Sequence, residues 1–350
     1  MFGFNILSDV LETSNKTGKL IVLSDALFEK DAPDEDQFNL EVKNVKKLIT
    51  SYPIWNLDII DNNHLVYTTL NPANIGVTKV NTININDQTT FGIDENNTAK
   101  GLVVSSDGTQ LLYSVVNSKN SSSVVFLYDL ENKKVKAEYT GTALQFLPEK
   151  DAFLGFDENQ LFVQNLNTQS RKIISSVNLK YKTMIGKIKV SSFNTSLAHD
   201  RAFIVEFDQN KSFINMINLK KDRMEKVVEA DIIQDFTVFN ESSLLIQGVV
   251  NGQEGLFSYS LNDKKFKLIV EGQINTFNIT ADGRLAYSLM KNDGVSELYV
   301  AYYHDDEIQH MKQVYMESNN VIFLKWNKYG NMLFYASGGG EGTNIIRFTF

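Results

Sequence analysis

The sequence contains no cysteine, four prolines and four histidines among its 350 residues. Without cysteine there can be no disulfide, thiolate nucleophile, zinc finger or iron–sulfur ligation, so folding rests on a hydrophobic core. Four histidines are few for an enzyme of this length, and they do not converge along the chain. So few prolines leave nearly every β-strand free to pair. No window supplies the roughly 18 apolar residues that a membrane-spanning helix needs, so no membrane insertion is expected. Basic residues are outnumbered, 34 against 42, and the resulting net charge of -8 repels polyanions, so nucleic-acid binding is not expected either. The first residues carry no basic segment followed by an apolar run, because Asp9 and Glu12 interrupt them. A cytoplasmic chain is therefore expected, with an exported domain whose leader has been removed as the alternative.

A repeat dominates what is there. A polar turn, a β-rich run, a gap, a second β-rich run, a charged turn and a third run recur about seven times, roughly 40 to 50 residues apart. The clearest copies run from Val103 to Gly141 and from Asn278 to Tyr315. Weaker copies of the first hairpin are LDIIDNNHLVYTT, FLPEKDAFLGF, FNTSLAHDRAFIVEF, VFNESSLLIQGVV and WNKYGNMLFYAS. Asp107-Gly108, Asn251-Gly252 and Asp282-Gly283 supply the positive φ of tight hairpins. Runs such as LLYSVV and ELYVAYY are rich in aromatic and β-branched residues, which suit a pleated surface. The spacing predicts an all-β fold, a seven-bladed β-propeller of four-stranded blades, with six or eight blades as the bounds.

The last repeat has only three candidate strands, near 321–326, 331–337 and 344–350. The segment from Phe38 to Ile49 alternates as an outer strand should, and is predicted to complete that blade and close the ring. The propeller is thus assigned to residues 38–350. Residues 1–37 are read as a short helix at Phe4 to Glu12, a strand at Gly18 to Asp25 and an acidic loop at Glu29 to Gln37, packed on the propeller.

The segments SSDGTQLLYS and TADGRLAYSL, followed by LYDLENKK and LYVAYYHDDE, resemble the WD40-like repeat of TolB-type β-propellers. That resemblance implies the propeller fold and a tendency toward protein binding, and it points to no particular activity.

Candidate chemistry is sparse. No G-x-S-x-G elbow and no phosphate-binding G-x-x-x-x-G-K-[ST] loop occurs. His64 and His199 fall in turns, and His304-Asp305-Asp306-Glu307 with His310 reads as a solvated hairpin turn in preference to a metal cage. Gly338 to Gly342 reads as an inter-strand loop. Of the two tryptophans, Trp326 is placed in the core; Trp55 is read first as core and second as a partner-binding hot spot. No catalytic residue, metal ligand or cofactor is expected.

Propellers bind partners on loops gathered at one rim. The candidate loops are 51–55, 71–76, 117–122, 291–294 and 338–342, and the candidate contact residues are Tyr52, Trp55, Asn292, Asp293 and Glu341. The expected function is a non-catalytic platform for a protein or peptide, monomeric outside its complex. The alternatives are a propeller enzyme of the lactone-hydrolase type, whose polar residues gather only in three dimensions, or an exported TolB-like binding domain.

Overall fold

The second strand of each repeat is the most apolar, and it is also the most deeply placed. The structure, a computed structural model, describes residues 40–71, 74–95, 98–116, 123–147, 151–157, 160–178, 185–190, 201–208, 211–291, 293–339 and 342–350. These contain twenty-eight strands and no helix. Strand β1 (Asn44–Thr50) comes first in the chain. Blade 1 is β2 (Ile54–Ile59), β3 (His64–Asn71), β4 (Asn74–Asn84) and β5 (Thr90–Asp94). Blade 2 is β6 (Ala99–Val104), β7 (Gln110–Val116), β8 (Ser123–Asp129) and β9 (Lys134–Thr140). Blade 3 is β10 (Thr142–Phe146), β11 (Ala152–Asp157), β12 (Gln160–Asn165) and β13 (Arg171–Asn178). Blade 4 is β14 (Ile185–Val190), β15 (Arg201–Asp208), β16 (Lys211–Asn218) and β17 (Arg223–Ala230). Blade 5 is β18 (Ile232–Asn240), β19 (Ser243–Val250), β20 (Gln253–Ser260) and β21 (Lys265–Glu271). Blade 6 is β22 (Ile274–Ile279), β23 (Arg284–Met290), β24 (Ser296–His304) and β25 (Glu307–Glu317). Blade 7 is β26 (Asn320–Trp326), β27 (Met332–Gly339) and β28 (Gly342–Thr349), completed by β1.

Every blade is a four-stranded antiparallel meander, so the molecule is a seven-bladed propeller, as the repeat spacing predicts. The closing strand lies where it was expected but is shorter: β1 begins at Asn44, not Phe38, and runs antiparallel to β28 from Asn44 opposite Thr349 to Thr50 opposite Thr343. The segments 4–12, 18–25 and 29–37, read as helix, strand and loop, lie outside the described residues.

The core consists of layers between blades. Leu65, Leu111, Phe153, Ala202, Leu244, Leu285 and Leu333 each stand opposite the last part of an innermost strand, Leu244 facing Val238 and the others the terminal residue, and all seven are 0% exposed. Leu48 of β1 joins Ile54, Leu65, Tyr67, Phe334 and Ile345 in the layer between blades 7 and 1. Truncating one such leucine to alanine costs about 2–5 kcal/mol in a core that cannot collapse around the cavity.

The turns carry their own code. In five blades the third strand ends on Asn84, Asp129, Asn165, Asn218 or Ser260, whose side chain accepts a backbone N–H two or three residues on at 2.7 to 3.0 Å. Four positions on, Gln88, Lys133, Gln169, Asp222 and Lys264 take φ between 49° and 64°. The side-chain acceptor helps offset the roughly 1 kcal/mol or more that a left-handed non-glycine residue costs. In blade 6 a tight turn replaces this unit, with Asp305 and Asp306 both at positive φ, as expected of the charged hairpin. Asn251 and Gly252 are both left-handed, as the two-residue hairpin between β19 and β20 requires. Gly108 is fixed more firmly: at φ 75°, a Cβ there would lie 2.2 Å from the Ile60 carbonyl oxygen of blade 1.

If β1 closes the ring, a chain starting at Ser51 leaves the outer edge of β28 unpaired, and should aggregate or melt without a cooperative transition. A chain starting at Leu40 keeps β1 and should melt as the full-length protein does. Equal cooperative melting of the two truncations in circular dichroism would remove β1 from this role.

Candidate functional site

The innermost strand of every blade carries one extra residue near its start. In β2 it is Trp55, between Ile54 opposite Thr69 and Asn56 opposite Thr68. Its counterparts are Lys100 in β6, Leu144 in β10, Gln234 in β18, Asn275 in β22 and Ile322 in β26; in β14 the extra residue lies between Ile185 and Ile188. A bulge re-aims its side chain out of the regular alternation. One such position per blade therefore rings the entrance of the channel, on the face where each outer strand passes to the next blade.

At this ring Trp55 is 64% exposed, Ile322 of the adjoining blade 44% and Tyr52 46%. The first reading of Trp55, as core, is wrong: the bulge after Ile54 turns the indole outward while Ile54 itself is buried. Trp326, at 4% exposed, is core as expected. Threonines pin the backbone under Tyr52 and Trp55. The Thr50 hydroxyl donates to the Tyr52 carbonyl at 2.8 Å, and that of Thr69 to the Pro53 carbonyl at 2.9 Å. Thr343 Oγ1 accepts the Ile54 N–H at 3.0 Å, and Thr68 Oγ1 accepts the Asn56 N–H at 3.1 Å.

The structure thus brings Tyr52 and Trp55 together. Asp293 lies on the same face, in the turn between β23 and β24, where its carboxylate accepts the Val295 N–H at 3.1 Å. Asn292 and Glu341 lie outside the described residues. Sequence reasoning missed Ile322. Its signal was available by aligning the innermost strands, where IWNLDI, INTFNI and VIFLKW place one unmatched residue after the first aliphatic.

The opposite face is built from the loops that follow the innermost strands. A cavity of about 490 Å³ lies there among blades 7, 1 and 2. Beside it, the buried Asp58 carboxylate accepts the Lys325 ammonium of blade 7 at 2.6 Å and the Val104 N–H of blade 2 at 2.9 Å. A groove of about 750 Å³ between blades 1 and 2 contains His64. The His64 ring is engaged at both nitrogens, Nδ1 by Asp61 at 2.9 Å and Nε2 by Asn84 Nδ2 at 3.2 Å. Because an amide N–H can only donate, Nε2 is the acceptor and Nδ1–H donates to Asp61. The ring is held as a structural link and offers no spare nitrogen as a base. On Asp61, burial acts to raise the carboxyl pKa, but the N–H groups of Asn63 and His64 and the imidazole outweigh it and lower it. His304 sits half-exposed in the tight turn of blade 6 with Asp305 at 3.2 Å.

No protein-family model matches this chain, and no curated protein sequence does. Solved structures do. The Cps50 (Swd1) β-propeller domain of Myceliophteria thermophila is similar with a TM-score of 0.58 at 13% identity, over 88% of this chain and 99% of that one. A chain of the mitotic checkpoint complex matches with a TM-score of 0.60 at 11% identity, over 95% and 99%. The β-propeller domain of the Trilobed protease from Pyrococcus furiosus, described as having an open velcro topology, matches with a TM-score of 0.59 at 13% identity, over 86% and 94%. At such identities the likeness shows the fold alone, a β-propeller.

Several carboxylates hold depressed pKa values through their bonds. Asp129 is lowered by the Asn132 N–H, then Lys136 and the Asn132 amide; Asp231 is lowered by Lys211, then the Gly252 N–H. Protons then bind the unfolded chain more tightly than the folded one, so stability is lost as pH falls below the ordinary carboxylate range. The melting temperature should be flat from about pH 8 to 5 and fall below about pH 4. Asp129→Asn should make that acid limb shallower, and an unchanged limb would exclude Asp129 from it.

Proposed function

We propose that this propeller is a non-catalytic binding platform that holds a protein or peptide over its channel entrance, on the face bearing Trp55. The observation that carries this reading is the arc of Tyr52, Trp55 and Ile322, three large side chains exposed together across the junction of blades 7 and 1. Exposed tryptophan and tyrosine on a backbone pinned by hydrogen bonds are the anchors that dominate protein interfaces, since little ordering remains to be done on binding. The similar propeller from the mitotic checkpoint complex comes from a protein assembly, which accords with this use of the fold. The net charge of -8 favours a partner that is not a polyanion. The enzyme alternative would need a rim pocket with an available base, and the one histidine in the grooves described above spends both nitrogens on Asp61 and Asn84.

The test places a photo-crosslinking amino acid at Trp55, at Ile322 and, as control, at Val135, which is exposed on the outer strand of blade 2. Adducts to one discrete partner are expected from the first two positions and not from the third. Trp55→Ala should weaken that partner's binding by about 30-fold or more, while stability changes by no more than about 0.5 kcal/mol, because the side chain is largely exposed. Crosslinks from Val135 alone, or full affinity in Trp55→Ala, would contradict the assignment.

A further inference from the structure

The cavity on the face opposite Trp55 has a donor surplus that can be counted. Asn327 Oδ1 accepts the backbone N–H groups of Asn331 and Met332, both at 3.1 Å, so its NH2 group is the donor toward Asn62 at 2.8 Å. Asn62 therefore spends its oxygen on Asn327 and retains its own NH2. The same logic applies to Asn63. Arg347 can only donate, and its Nη1 lies 2.8 Å from Asn63 Oδ1, which leaves the Asn63 NH2 without a protein partner. Arg347 also donates to the Asn62 carbonyl at 2.7 Å, so both asparagines are held rigidly. Trp326 also lines this cavity, but its indole Nε1 is buried out of a ligand's reach, so the ring reports on the site without supplying a donor. Spare amide donors at a cavity wall are the groups a ligand or bound water completes.

The remaining lining narrows the ligand chemistry. Asp61 and Asp107 disfavour an anion, and Lys325 and Lys328 disfavour a cation. Ser106 adds a hydroxyl that can both donate and accept. Tyr329, 62% exposed, forms an aromatic lip. A neutral molecule that accepts from amides, donates to a carboxylate and lays an apolar face on a ring meets all these conditions. The volume, about 490 Å³, lies within the range of small-molecule sites. We infer that this cavity binds a neutral sugar unit, a mono- or disaccharide or the end of a glycan, through the amides of Asn62 and Asn63, with Tyr329 as its stacking platform. This site is separate from the Trp55 face, at the far end of the same innermost strands.

The chain has two tryptophans, so a 1H–15N spectrum contains two indole signals, and Trp55→Phe assigns them. The full chain is titrated with glucose, galactose, mannose, N-acetylglucosamine, maltose, cellobiose, lactose and chitobiose, with glucose 6-phosphate as the anionic control. At least one neutral sugar should shift the Trp326 indole and leave that of Trp55 in place. Asn63→Asp keeps the oxygen that Arg347 needs and removes the spare donor. That variant and Tyr329→Ala should each weaken the sugar by about tenfold, with an unchanged melting temperature. No shift of the Trp326 signal by any neutral sugar, equal affinity in both variants, or preference for the phosphorylated sugar would overturn the inference.

Discussion

The pairing of β1 with β28 is the constraint on which the other features of this molecule depend. It joins residues about 300 positions apart into one blade, and the junction it makes is the place where both candidate sites sit. On one face, Thr50 at the end of β1 and Thr343 at the start of β28 hold the turn that presents Tyr52 and Trp55. Thr50 Oγ1 also accepts the Thr343 N–H at 3.1 Å, so the two strands and the platform form one hydrogen-bonded unit. On the other face, Arg347 of β28 fixes Asn62 and Asn63. Opening the seam would loosen both.

Polar links between neighbouring blades recur around the ring and explain why individual buried polar groups are tolerated. Ser114 Oγ of blade 2 accepts the Ala143 N–H of blade 3 at 2.9 Å. Asn278 Oδ1 of blade 6 accepts the Trp326 N–H of blade 7 at 2.9 Å. Asp58 does the same for Val104 while neutralised by Lys325. Each acceptor satisfies a backbone donor of an innermost strand that its own blade leaves unpaired, at a net gain of about 1 kcal/mol per bond. Apolar layers supply most of the adhesion between blades, and these bonds set the register with which one blade meets the next.

Much of this was legible in the sequence because a propeller repeats. Asp-Gly and Asn-Gly turns mark the hairpins locally, and a last unit one strand short requires a partner strand from elsewhere in the chain. The ends of the third strands were equally legible: NINDQ, DLENK, NLNTQ, NLKKD and SLNDK are five versions of one turn. The reading of Trp55 as core missed the bulge after Ile54, which turns a large aromatic of an innermost strand outward. Asp58 drew no attention because its ammonium partner, Lys325, lies 267 residues away and approaches only when the ring closes. Arg347 likewise reads as an exposed strand residue until Asn62 and Asn63 arrive from the next blade. Sites assembled across a seam leave no local pattern, which is why the fold was more readable than its surfaces.

The most direct test of this account is native-state amide hydrogen exchange at the seam. The Lys43 N–H, which donates to the Thr349 carbonyl at 2.8 Å, and the β28 amides that face β1 should exchange only through global unfolding, as slowly as amides in the interior strands β19 and β23. If β1 instead exchanges through a local opening, orders of magnitude faster than β19, the ring is not held by this strand, and the seam cannot be what positions the two faces.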